Sequence, residues 1–157
     1  MIKILTVCLG NICRSPIAEE LLRIKCSSLG IDVFVDSAGT ADYHIGSAPD
    51  SRMVQTARNF GCDISNLRAR QFHISDFQSF DFIFTMDEDN HKNIRRLTSD
   101  SKLHSKVFSF QGFADIDNPS FVPDPYYGTF DDFVHTFNIV DLSASIIAKK
   151  LMKIHNT

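Results

Sequence analysis

Ile2-Lys-Ile-Leu-Thr-Val-Cys8-Leu-Gly-Asn-Ile-Cys-Arg14-Ser-Pro16 is the stretch on which the fold turns. Residues 2–7 are aliphatic and β-branched, the composition of a buried strand, and a Gly-Asn pair then breaks the run. Ser15 before Pro16 reads as a helix opening, with proline at a position where no N–H is needed. Ile17, Leu21 and Leu22 follow at helical spacing, and Gly30 offers a stop. Strand, turn and helix in this order predict the first half of a β-α-β unit.

The alternation continues outward. Residues 32–36 read as a second strand and residues 37–48 as a loop; Pro49-Asp50 opens a helix that Gly61 closes. Residues 80–86 form a third strand, and residues 87–97 a helix with acids at its start and Arg95 and Arg96 near its end, matching the helix dipole. Residues 106–110 read as a short fourth strand, residues 111–129 as a loop carrying three prolines, and residues 130–154 as a long helix. Strands separated by helices imply an α/β fold, a four-stranded parallel sheet with helices on both faces. A chain of 157 residues fits one domain, taken as residues 1–157. Ligands of such sheets bind beyond the carboxyl ends of the strands.

Composition narrows the function. The net charge of -3 leaves no basic footprint for nucleic acid. The first apolar run is too short to span a membrane, and Asp141, Lys149 and Lys150 interrupt the last one. With no export signal the expected compartment is the reducing cytoplasm, so Cys8, Cys13, Cys26 and Cys62 read as free thiols. No CxxC pair or histidine cluster suggests a metal, and no cofactor is expected. A monomer is expected, with weak dimerisation left open.

The unusual residues begin where the first strand ends. A cysteine and an arginine six positions apart, Cys8 and Arg14, can close a loop around one phosphate. Inward backbone N–H groups and the following helix N-terminus favour an anion there and favour the thiolate of Cys8. Arg14 offers a planar fork for two phosphate oxygens. Gly10 and Asn11 tolerate the positive φ of a tight loop, and Ser15 can hydrogen-bond the sulfur. The spacing alone proves little, because Cys62 and Arg68 repeat it. That second copy lacks glycine, includes Asp63 and follows a helix, and is read as coincidence. Protonation of a leaving group needs an acid outside the loop, and Asp124, held between Pro123 and Pro125, is the best framed; taken alone Asp-Pro reads as a turn, and the Cys8 loop beside it favours the acid.

Cys8-Leu-Gly-Asn-Ile-Cys-Arg-Ser-Pro16 resembles the signature loop of the low-molecular-weight protein tyrosine phosphatases. The similarity continues in Asp36-Ser-Ala-Gly-Thr40, Pro49-Asp50-Ser51-Arg52, Ala69-Arg70-Gln71, Phe84-Thr-Met-Asp-Glu88 and Asp124-Pro-Tyr-Tyr-Gly128. The resemblance implies hydrolysis of phosphotyrosine in proteins or peptides, with Cys8 as nucleophile, Arg14 on the phosphate and Asp124 as acid and base. It implies a phosphate loop of Leu9, Gly10, Asn11, Ile12, Cys13 and Ser15, steadied by Ser37. It further implies a cleft walled by Tyr43, Tyr126 and Tyr127, and a resolving thiol in Cys13. Ile12 and Tyr126 stand where phosphoarginine-selective relatives tend to have threonine and phenylalanine, which favours phosphotyrosine. Leu67 stands where many relatives carry a loop-bracing histidine, with His44 and His73 as candidate substitutes. The rival readings are an arsenate reductase, which needs a late cysteine pair where none follows Cys62, and a non-catalytic phosphate-binding module.

Overall fold

The computed structural model describes residues 1–156. Its four strands are β1 (Ile2–Cys8), β2 (Val33–Gly39), β3 (Phe82–Thr85) and β4 (Val107–Ser109). All pairings are parallel, in the order β2-β1-β3-β4. The helices are α1 (Arg14–Ser28), α2 (Ser51–Asn59), α3 (Asp76–Ser79), α4 (Glu88–Arg95), α5 (Ser101–His104), α6 (Phe110–Phe113) and α7 (Phe130–His155).

Alternating side chains on the strands build two cores. Ile4 and Cys8 of β1 and Phe84 of β3 face one cluster, which α1, α2 and α7 cover with Ile17, Leu22, Met53, Phe133 and Ile147. Leu5, Val7 and Ile83 face the other, closed by Phe77 of α3 and Ile94 of α4. The helices thus lie on both faces, as the alternation of strand and helix predicts. Among the described residues, no helix is long and apolar enough to cross a membrane.

Three features depart from the sequence reading. β2 does not stop at Asp36: residues 37–39, read as loop, pair with β1 through Thr6, Val7 and Cys8. Polar Ser37 and small Ala38 and Gly39 carry no strand signature, and the ladder with β1 holds them extended. Second, α3, α5 and α6 are single turns with no apolar periodicity of their own; in α6 the Ser109 hydroxyl accepts the Gly112 N–H at 3.1 Å. Third, α1 begins at Arg14, one residue before the expected cap Ser15.

The chain leaves β1 toward β2 on one side and reaches β3 on the other, so the strand order reverses at β1. The loops after β1 and β3 diverge there and leave a crevice at the carboxyl ends. Gly39 is required at its edge: a Cβ would stand 2.7 Å from the Leu9 carbonyl oxygen and 3.1 Å from the Gly10 carbonyl carbon.

Candidate active site

Cys8 ends β1 and Arg14 opens α1, so residues 9–13 form the whole connection. Both ends are buried, each with 2% of its surface exposed. The sulfur of Cys8 lies 3.0 Å from the Ser15 hydroxyl and accepts the Asn11 N–H at 3.3 Å. Asn11 takes the left-handed conformation, with φ of 58°. Gly10 does not, contrary to expectation. Its lack of a side chain leaves room for His44, whose Cδ2 would lie 2.9 Å from a Cβ. No side chain caps the first turn of α1, and Ser15 faces the sulfur instead. The first N–H groups of that turn therefore remain open to an anion.

The Asn11 side chain braces the loop from within. Its amide donates to Ser15 at 2.8 Å and to Ser37 at 2.9 Å, and its oxygen accepts the Arg70 backbone N–H at 3.0 Å. Ser37 donates in turn to Glu19 at 2.6 Å. Burial pushes the Glu19 carboxyl pKa up, against the opposing hydrogen bonds from Ser37 and Arg23. Leu67 only packs against the apolar core. His73 pairs with Ser75, and His44 meets Tyr43 edge-on and Tyr126 at a tilt, so neither takes the bracing place. Glu19 and the Arg70 backbone complete the network, and nothing in their sequence spacing announced it.

Arg14 is held from two sides. Its Nη1 donates to Asp87 at 2.6 Å and to the Val122 carbonyl at 3.2 Å, while Nη2 reaches Asp124 at 3.5 Å. Burial works against the guanidinium charge, but Cys8, Asp87 and Asp124 outweigh it and hold its pKa above the ordinary value. Asp87 was legible only as a helix opener; its role as the half-buried partner of the buried Arg14 is new. The second Cys-Arg pair makes no such site, since Arg68 donates to Ser65 and Leu67 carbonyls in its own loop.

Asp124 lies 3.5 Å from Arg14 Nη2 at the mouth of the loop, with its other oxygen accepting the Tyr126 N–H at 3.1 Å. Cys8, Cys13, Arg14 and Asp124 line one cavity of about 310 Å³, rimmed by Tyr43, His44, Tyr126 and Tyr127. A larger recess of about 660 Å³ beyond Asp87 and Asp124 holds no nucleophilic thiol. Burial, reinforced by Asp50, drives the Cys13 pKa far up and keeps it a thiol. The cavity therefore joins a sulfur, a fixed cation and a carboxyl, the set needed for displacement at phosphorus.

A family model described as low molecular weight phosphotyrosine protein phosphatase matches residues 3–156. The chain is 43% identical to the Dictyostelium discoideum low molecular weight phosphotyrosine protein phosphatase, with 88% of this chain and 87% of that protein covered. It is 38% identical to the protein of the same name from Schizosaccharomyces pombe, covering 93% and 95%. Among solved structures, a protein tyrosine phosphatase from Entamoeba histolytica with Hepes in its active site superposes with a TM-score of 0.92 at 34% identity, over 98% of each chain.

Proposed function

The chain belongs to the low molecular weight phosphotyrosine protein phosphatase family, and from that premise we propose a mechanism that runs through Cys8, Arg14 and Asp124. The observation that carries it is the shared cavity: sulfur, guanidinium and carboxyl open onto one space.

In the first step the deprotonated sulfur of Cys8 attacks phosphorus in line with the ester bond. Asp124 gives its proton to the departing phenolate, and a phosphocysteine forms. Charge gathers on three equatorial oxygens, which the loop N–H groups and Arg14 hold. Asp87 and Val122 occupy Nη1, so the edge made by Nε and Nη2 takes the phosphate; the Asp124 contact on Nη2, at 3.5 Å, is the weak one. Ser15, 3.0 Å from the sulfur, steadies the thiolate as it leaves. In the second step Asp124, now ionised, draws a proton from water, which attacks phosphorus and releases phosphate. Both steps balance without a metal or organic cofactor.

The same reading covers residues 1–157 as one phosphatase domain and takes phosphotyrosine in proteins or peptides as substrate. Tyr43, with 72% of its surface exposed, and Tyr127, with 96%, stand at the rim as aromatic contacts for the phenol or its flanking residues. A chemistry that needs a free Cys8 fits the cytoplasm, and all four cysteines are reduced and buried. Cys13 is the proposed resolving thiol for oxidised Cys8. Its raised pKa keeps it from competing as a nucleophile and lets it resolve only slowly.

A phosphopeptide panel with wild type and Cys8→Ser tests the reading. Wild type should release phosphate from phosphotyrosine and scarcely from phosphoserine peptides, while Cys8→Ser binds the phosphotyrosine peptide without turnover. Turnover retained within about tenfold by Cys8→Ser would remove Cys8 as nucleophile.

A further inference from the structure

Pro49-Asp50-Ser51-Arg52 is a family-like segment to which the proposed chemistry assigns nothing. It enters α2 between the phosphate loop and the loop that carries Asp124. The Asp50 N–H donates to the Ile12 carbonyl at 2.8 Å. The Asp50 carboxylate grips Arg52 by three bonds, from its backbone N–H at 2.8 Å, Nε at 3.1 Å and Nη2 at 2.9 Å. That same Nη2 donates to the Tyr126 carbonyl at 2.9 Å, and the Tyr126 N–H donates to Asp124 at 3.1 Å. The guanidinium lies 4.5 Å from the Phe133 ring centroid and 5.6 Å from that of Tyr126. A continuous chain of polar contacts therefore runs from the nucleophile's loop to the acid, with a stacked arginine in the middle.

On its near side the loop is held by Arg14, at the Val122 carbonyl and Asp124, by the Met86 carbonyl on the Val122 N–H and by the Thr136 hydroxyl on the Pro123 carbonyl; beyond Asp124 the Arg52 bond to the Tyr126 carbonyl ties it back to the entrance of α2. Residues 122–125 have no regular secondary structure, and displacing a proton donor by an ångström can cost a large part of its effect. A lysine could not reproduce the planar grip on Asp50 together with the stacking on both rings.

We propose that Arg52 is a positioning residue, which sets the reach of the Asp124 carboxyl over the phosphate loop without touching the substrate. The proposal rests on Asp124 being the general acid. Its effect falls on leaving-group protonation and spares anion binding.

The test measures kcat/KM for phenyl phosphate and p-nitrophenyl phosphate, and inhibition by vanadate, in wild type, Arg52→Gln, Arg52→Lys, Asp124→Ala and the Arg52→Gln/Asp124→Ala double variant. Arg52→Gln should lose about tenfold with phenyl phosphate and about twofold with p-nitrophenyl phosphate, whose leaving group needs less help. Arg52→Lys should recover only part of that loss, and vanadate inhibition should stay within about twofold. In the Asp124→Ala background the selective loss should vanish. Equal losses on both substrates, or a selective loss that persists without Asp124, would overturn the proposal while leaving Asp124 as acid. An Asp124→Ala variant with unchanged leaving-group preference would overturn the acid assignment and the proposal with it. Should Arg52→Gln not fold, Asp50→Asn, which keeps Arg52 and an N-cap, carries the same comparison with an expected selective loss of about threefold.

Discussion

Asp87 spends its two oxygens on two different elements. One accepts the Asn90 N–H at 2.8 Å and caps α4; the other takes Arg14 at 2.6 Å. A buried guanidinium without an ionic partner is costly, and a charge-assisted bond is about twice as strong as a neutral one. Asp87→Asn keeps a good N-cap but offers Arg14 only a neutral oxygen. It should lower kcat/KM for p-nitrophenyl phosphate by about three- to tenfold with little change in Tm. Activity within about twofold of wild type would mean that the Val122 carbonyl, Asp124 and packing suffice to orient Arg14. At this scale the sequence was legible for Cys8, Arg14 and Asp124, because their neighbours impose local geometry: a glycine turn, a helix start, two prolines. It was silent on Asp87, whose partner is 73 residues away, since spacing does not tell which oxygen faces which loop.

The elements that matter most at the site are β2 and α1, and each begins or ends away from its sequence pattern. β2 runs on through Ser37 and Gly39 because β1 supplies a ladder, and this brings the Ser37 hydroxyl to Asn11. α1 starts at Arg14 with its first turn uncapped by any side chain, so the helix end that a cap would have satisfied is left open to an anion. Gly39 marks the contact between β2 and the loop of residues 9–13 that leads into α1. Gly39→Ala must push the backbone at Leu9 and Gly10, a strain of about 1–3 kcal/mol by analogy with overpacked cores. Urea denaturation should show a loss of that order, and vanadate should bind more weakly than to wild type. Unaltered vanadate affinity alongside lost stability would show that the loop relaxes independently of β2.

For the whole molecule, the order of the strands and long helices was readable, because these elements are apolar enough to show in the sequence. The single-turn helices were not, having too few residues to show an apolar period. Burial of the thiols makes a prediction about the folded state as a unit. Burial pushes the Cys26 pKa up to about 11, from the ordinary value of 9.0, and raises that of Cys13 further. Above the ordinary value the unfolded chain loses protons that the native state retains, so stability falls as pH rises. Each thiol contributes up to about 1.4 kcal/mol per pH unit in that window. Urea denaturation from about pH 8 to about pH 10.5 should show this decline, with a shallower slope for Cys26→Ala. A flat wild-type profile would contradict the burial of both thiols. The two cores lie on opposite sides of the sheet, and the carboxylate of Asp87 joins elements from both: α4 rests on one core, while the guanidinium it pairs with belongs to a helix on the other. A shift of the α4 entrance would therefore move the carboxylate that holds Arg14, so a helix packed on the far core has a hand on the loop in front of the near one.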